Sequence, residues 1–145
     1  MNRKTFLRGA CALAAGLLAG VPVAHAATDD GWVLIANSPL KGVDAEMLKR
    51  IYTGRVVELD GLALRPVNLV PGTPLRRRFL AGALQQDDED YIAYWTVRRY
   101  IGKGAPPREL RSTAEVIDYV QRTPGAIGYI EPADLKPGMV VLLRR

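Results

Sequence analysis

Trp32 to Ala36 reads WVLIA, an unbroken apolar run. A strand with one wet face alternates apolar and polar side chains. A run without alternation has no face to give to water, so as a strand it is buried. That requirement leads towards an α/β domain, a mixed sheet covered by helices.

The rest of the chain supplies the parts. Asn37-Ser38-Pro39 ends the first strand. Asp44 is placed to cap a helix, with Glu46 in its first turn and Lys49-Arg50 in its last, as the helix macrodipole favours. Val43, Met47, Leu48 and Ile51 share one face, and Gly54 stops the helix. Leu64 to Val70 reads as a second strand, placed partly at an edge by Pro66. Thr73-Pro74 is an N-cap followed by proline at the first helical position, with Leu75, Phe79 and Ala83 as the buried stripe. Asp87 or Asp88 opens a further helix, which carries Tyr91 and Trp95 at helical spacing and ends on Arg98-Arg99. Residues 102–107 read as a loop. Ser112 to Glu115 is a capping box ahead of Val116, Ile117 and Val120. Thr123-Pro124-Gly125 turns the chain into a strand over Ala126 to Ile130, and Lys136-Pro137-Gly138 turns it into a last strand over Met139 to Leu143. The expected order is β-α-β-α-α-α-β-β, in a three-layer α/β domain.

The N-terminus belongs to a different class of segment. Arg3, Lys4 and Arg8 precede an apolar stretch from Ala10 to Val21, Pro22 breaks it, and Ala24-His25-Ala26 has the small-x-small pattern of a cleavage site. Residues 1–26 are therefore expected to be a secretory signal peptide, with residues 27–145 forming a single domain in the periplasm. Removing three of the 20 basic side chains and none of the 15 acidic ones lowers the formal charge from +5 to +2. The only cysteine, Cys11, and the only histidine, His25, leave with the leader. The mature chain then has no disulfide, no thiol nucleophile, no Cys or His metal site and no imidazole. A charge of +2 is not the basic footprint of a nucleic-acid binder, and no binding motif is present.

Four segments in order carry a resemblance. They are Asp44 to Gly54 (DAEMLKRIYTG), Leu64 to Phe79 (LRPVNLVPGTPLRRRF), Tyr94 to Gly104 (YWTVRRYIGKG) and Thr123 to Ile130 (TPGAIGYI). Together they resemble the phosphate-type substrate-binding proteins of ABC transporters, within the type 2 periplasmic binding fold. The resemblance implies a mixed sheet flanked by helices, like one lobe of a two-lobed ancestor whose members are more than twice as long. It also implies a small oxyanion such as phosphate as ligand, a membrane transporter or sensor protein as partner, and no cofactor. A homodimer or a partner would supply the wall that the missing lobe does not.

The anion-site residues follow from helix physics and from the resemblance together. A helix N-terminus presents unpaired N–H groups and the positive end of the dipole, and a small residue before it permits close approach. Gly72 and Thr73 stand at such a start, Arg76 follows in the first turn, and Asn37 and Ser38 at the end of the first strand are assigned to the same rim. The family's Gly-Ser-Gly-Thr corresponds here to Gly72-Thr73-Pro74-Leu75. Pro74 removes a backbone donor and Leu75 a hydroxyl. Leu69 and Pro71 stand where phosphate binders carry an arginine and an aspartate. These departures support a second reading, a protein-interaction or sensor-adaptor module that has lost solute binding.

Other features have plainer readings. Arg76-Arg77-Arg78 cannot share one face, because successive helical residues are about 100° apart. Asp87 to Asp90 lack calcium-loop spacing and suit a helix start. Tyr91, Tyr94 and Trp95 read as packing, and Tyr129 as either a cleft-edge or a strand aromatic. Neither Ser38 nor Ser112 has a nucleophile-elbow context, and Glu58-Asp60 and Glu131-Asp134 lie in loops. The expected class is a non-catalytic binding domain.

Overall fold

The structure is a computed structural model that describes residues 30–145. The expected leader lies outside the described residues. In order, the elements are β1 (Val33–Ala36), α1 (Ala45–Tyr52), β2 (Glu58–Leu59), β3 (Leu62–Ala63), β4 (Arg65–Leu69) and α2 (Pro74–Phe79), which runs on through π-helical turns over Leu80–Leu84. Then come α3 (Asp88–Tyr100), β5 (Arg108–Leu110), α4 (Thr113–Arg122), β6 (Ala126–Ile130), a 3-10 turn over Pro132–Asp134, and β7 (Val140–Arg144).

Five strands form a mixed sheet in the order β5-β4-β6-β1-β7. β4 runs parallel to β5 and β6, while β1 is antiparallel to β6 and β7. The fold is the three-layer α/β arrangement expected from the apolar runs. Every residue of β1 and of β6 is buried. On one face lies α4. Gly128 of β6 passes so close to it that an added Cβ would come within 2.6 Å of Val116 and 2.9 Å of Val67. On the other face, Tyr129 stacks on Phe79 of α2 at 3.8 Å, and Tyr52 of α1 meets the same Phe79 ring edge-on at 4.8 Å.

The helix caps follow local chemistry. Asp44, Asp87 and Ser112 each accept a hydrogen bond from the backbone N–H three residues on. Glu115 reaches back to the N–H of Arg111, one residue earlier than a standard capping box. Thr73 differs. It precedes Pro74 as expected, but its hydroxyl donates to the carbonyl of Val70 and leaves the helix end uncapped.

Three short strands are not signalled by the sequence pattern. β2 and β3 form a hairpin around Asp60-Gly61, whose φ values of 52° and 77° suit a tight two-residue turn. β5 follows the 102–107 loop and pairs with Val67 to Leu69 of β4. β4 is therefore an inner strand, although Pro66 sits in the stretch before β5 begins, where β6 is its neighbour. Among the described residues no helix is long and apolar enough to cross a membrane.

Candidate functional site

In an open α/β sheet, ligands bind beyond the carboxyl ends of parallel strands, where helix N-termini gather. Here that place is the end of β4, where Val70 to Thr73 leads into α2. Gly72, Thr73 and Arg76 all meet there. Asn37 and Ser38 do not. Asn37 donates its backbone N–H to Ala126, and Ala126 stands beside Arg65 at the start of β4. The two groups are separated by the length of β4, about 15 Å. The sequence alone places them on one rim. The antiparallel direction of β1 against β6 sends them to opposite ends of the sheet. Asn37 has a structural task instead: its amide donates to the carbonyls of Val120 and Gln121 at 3.0 and 3.1 Å, near the end of α4. The Ser38 hydroxyl donates to the side-chain oxygen of Asn37.

At the β4 end the Gly72 N–H, the Thr73 hydroxyl and the Arg76 guanidinium are already satisfied from within. Arg76 is fully buried, 0% exposed. Its Nε lies 2.5 Å from Asp88, and its Nη1 donates to the Leu69 carbonyl at 2.7 Å and to Glu109 at 3.0 Å. The other oxygen of Asp88 accepts the N–H of Gly72 at 3.0 Å. One carboxylate thus takes the loop N–H and the guanidinium that the sequence offered to an oxyanion. The Tyr91 ring lies against the same guanidinium, 5.6 Å from its centroid. Asp88 and Glu109 come from α3 and β5, and the sequence assigned neither to the site.

Behind this cluster lies a buried hydrogen-bonded layer. Tyr129 donates to Asn68 and accepts from the N–H of Leu69. Tyr52 donates to the Val67 carbonyl, and Tyr91 to that of Tyr52, both at 2.8 Å. Burial pushes all three phenols above the usual tyrosine value, so they stay neutral donors. The arginine triplet divides as helix geometry requires. Arg76 points inwards, Arg77 is exposed, and Arg78 pairs with Glu131. Among the described residues no group of three acidic, histidine or cysteine side chains could hold a metal.

A second concave region lies at the other end of β4. A cleft of about 270 Å³ wraps the starts of β4 and β5. Trp95 of α3 forms part of its wall, against Gly54 at the end of α1. Gly54 has a φ of +69°, and an added Cβ would stand 2.6 Å from the Trp95 ring. Arg98 braces this corner, donating to the carbonyls of Gly54 and Lys103 and lying 5.6 Å from the Tyr94 and Trp95 ring centres.

No protein-family model matches the chain, and no curated protein matches it in sequence. In three dimensions the chain is similar to an ABC-type phosphate transport receptor from Vibrio cholerae, with a TM-score of 0.53 and 13% identity over 77% of this chain. It spans 45% of that receptor's length. The likeness is one of fold, a periplasmic-binding-protein-like lobe.

Proposed function

We propose that this chain is a non-catalytic, periplasmic-binding-protein-like domain whose oxyanion position is taken by its own Asp88, and which works by docking on a protein of membrane transport or sensing. The observation that carries this reading is the Asp88 carboxylate on the Gly72 N–H and the Arg76 guanidinium. A dehydrated phosphate needs many donors, and here the Gly72 N–H and the Arg76 guanidinium are spent on Asp88 while Pro74 brings none. Export by the leader would place the domain in the periplasm. No cofactor is part of the reading, and Arg78 holds the Glu131 carboxylate in an ion pair.

The docking face is the C-terminal half of α3. Val97, Tyr100 and Ile101 are 60%, 92% and 56% exposed, and they follow one another at helical spacing. Exposed Arg99 and Lys103 flank them. An apolar surface with acidic neighbours on the partner complements both features.

Titration of the protein with phosphate and sulfate tests the first part. The melting temperature stays unchanged up to about 10 mM of either anion, because a ligand stabilises only if it binds the folded state. The Asp88→Ala variant melts lower and regains stability with phosphate or sulfate, which fill the vacated position. A wild-type protein stabilised by phosphate, with Asp88→Ala indifferent to it, would restore solute binding as the function.

A further inference from the structure

We infer that the cleft at the start of β4 and β5 is a second ligand site, unrelated to the oxyanion position, and that it binds a small aromatic monocarboxylate. The cleft combines an apolar wall with a one-signed rim. Its volume of about 270 Å³ lies just below the ~300–1,000 Å³ of drug-sized pockets, which suits a single ring with a short tail. Trp95, itself buried, and Tyr119 give the lining its aromatic part, and the missing side chain at Gly54 lets the backbone pass directly against the Trp95 ring. Pro106 stiffens another part of the lining.

The charge settles the ligand class. Among the described residues Arg65 and Arg108 are the charged ones that line the cleft, and no acid does. Register explains why they act together. Arg108 stands beside Val67 in the parallel β4–β5 pair, and Arg65 lies two residues before Val67, so both project from the same face of the sheet. That face is the one covered by α4, where the Arg108 guanidinium lies 5.4 Å from the centre of the Tyr119 ring. Arg65 has no side-chain hydrogen bond or ion pair among the described residues. A carboxylate at this rim meets a planar guanidinium fork with donors to spare, and its apolar body turns towards Trp95. A neutral apolar molecule would leave the arginines unused. A bare inorganic anion would leave the aromatic wall unused.

The experiment is an NMR titration of the protein with 4-phenylbutyrate, with its neutral amide, and with inorganic phosphate. Saturable shifts are expected at the Trp95 indole, Arg65 and Arg108 with a Kd below about 1 mM. The amide should bind at least tenfold more weakly, and phosphate should not displace the acid. The double variant Arg65→Ala/Arg108→Ala should keep the fold, shown by unchanged dispersion of the Tyr52 and Phe79 signals, and lose at least tenfold in affinity. Equal binding of acid and amide would overturn the inference. So would the absence of saturation at about 10 mM acid, or shifts centred on Gly72 and Arg76.

Discussion

The two ends of β4 carry arginines in opposite states. At the carboxyl end Arg76 is buried and meets two carboxylates and a carbonyl. At the amino end Arg65 and Arg108 are exposed beside an aromatic cleft that contains no acid. Arginine content therefore says little about where an anion binds. What decides is whether the fold has already supplied one. Asp88 and Glu109 pair with the guanidinium at the carboxyl end, and among the described residues no acid lines the cleft at the other.

The largest effect is expected where that pairing is broken. Arg76→Ala removes the cation shared by Asp88 and Glu109 and leaves the Leu69 carbonyl without its donor. Removing one member of a fully buried ion pair costs about 3–5 kcal/mol, and because the Asp88 and Glu109 side chains are 19% and 43% exposed the loss here should be smaller, about 2–3 kcal/mol, before the unpaired Leu69 carbonyl is added. Urea unfolding should show this as a lower midpoint with little change in slope. A loss below about 1 kcal/mol would mean that Asp88 is as well hydrated as the exposed Glu109, and the contrast between the two ends would collapse.

Gly54→Ala probes the open end through its wall. Alanine must adopt a left-handed conformation there, and its Cβ must displace the Trp95 ring. The two costs together come to about 2–4 kcal/mol. Trp95 fluorescence should shift in the same variant, since the ring forms the wall of the cleft. Retention of both stability and spectrum would show that Trp95 has room to move and that the cleft is not preformed.

Much of the frame was legible because it rests on local chemistry. The WVLIA run announces a doubly covered strand, Asp44, the Asp87-Asp88 pair and Ser112 announce their helices, and Thr123-Pro124-Gly125 announces β6. The site was legible only in part. Gly72, Thr73 and Arg76 lie together as expected, since they are close in sequence. Asn37 and Ser38 were assigned to the wrong end, because the direction of β1 is set by its pairing with β6, across more than 80 residues. Asp88 looked like a residue of a helix first turn, which it also is, and nothing local revealed its reach to Arg76. Glu109 lay in a short strand with no apolar pattern to mark it. The hairpin escaped notice because β2 and β3 have two residues each.

A smaller effect is expected in the tyrosine layer behind the closed end. Tyr129→Phe removes the donor to Asn68 and the acceptor of the buried Leu69 N–H, at a cost of about 1–3 kcal/mol. The same variant has a signature in pH. Burial raises the pKa of Tyr52, Tyr91 and Tyr129 in the fold, while in the unfolded chain each ionises near 10. Their contribution is fully present below about pH 10 and is lost as pH rises from there towards the folded-state values. Each phenol adds about 1.4 kcal/mol per pH unit to that decline. Tyr129→Phe should remove one of the three increments. An unchanged alkaline slope would mean that Tyr129 ionises freely in the folded protein.

The smallest effect on stability belongs to the arginine at the open end, and its smallness is what the comparison requires. Arg65 is exposed and has no side-chain partner among the described residues, so Arg65→Ala leaves no buried group unsatisfied. Surface substitutions of this kind fall within about 0.5 kcal/mol. Its backbone stays engaged, since the Arg65 N–H donates to the Gly125 carbonyl whatever the side chain. The sign of the small change is informative as well. With Arg108 projecting from the same face and no acid lining the cleft, removing one of two like charges should leave stability equal or slightly higher, and more so at low salt. A loss above about 1 kcal/mol would mean that Arg65 is held by a carboxylate after all, and the amino end of β4 would then be closed in the same way as the carboxyl end.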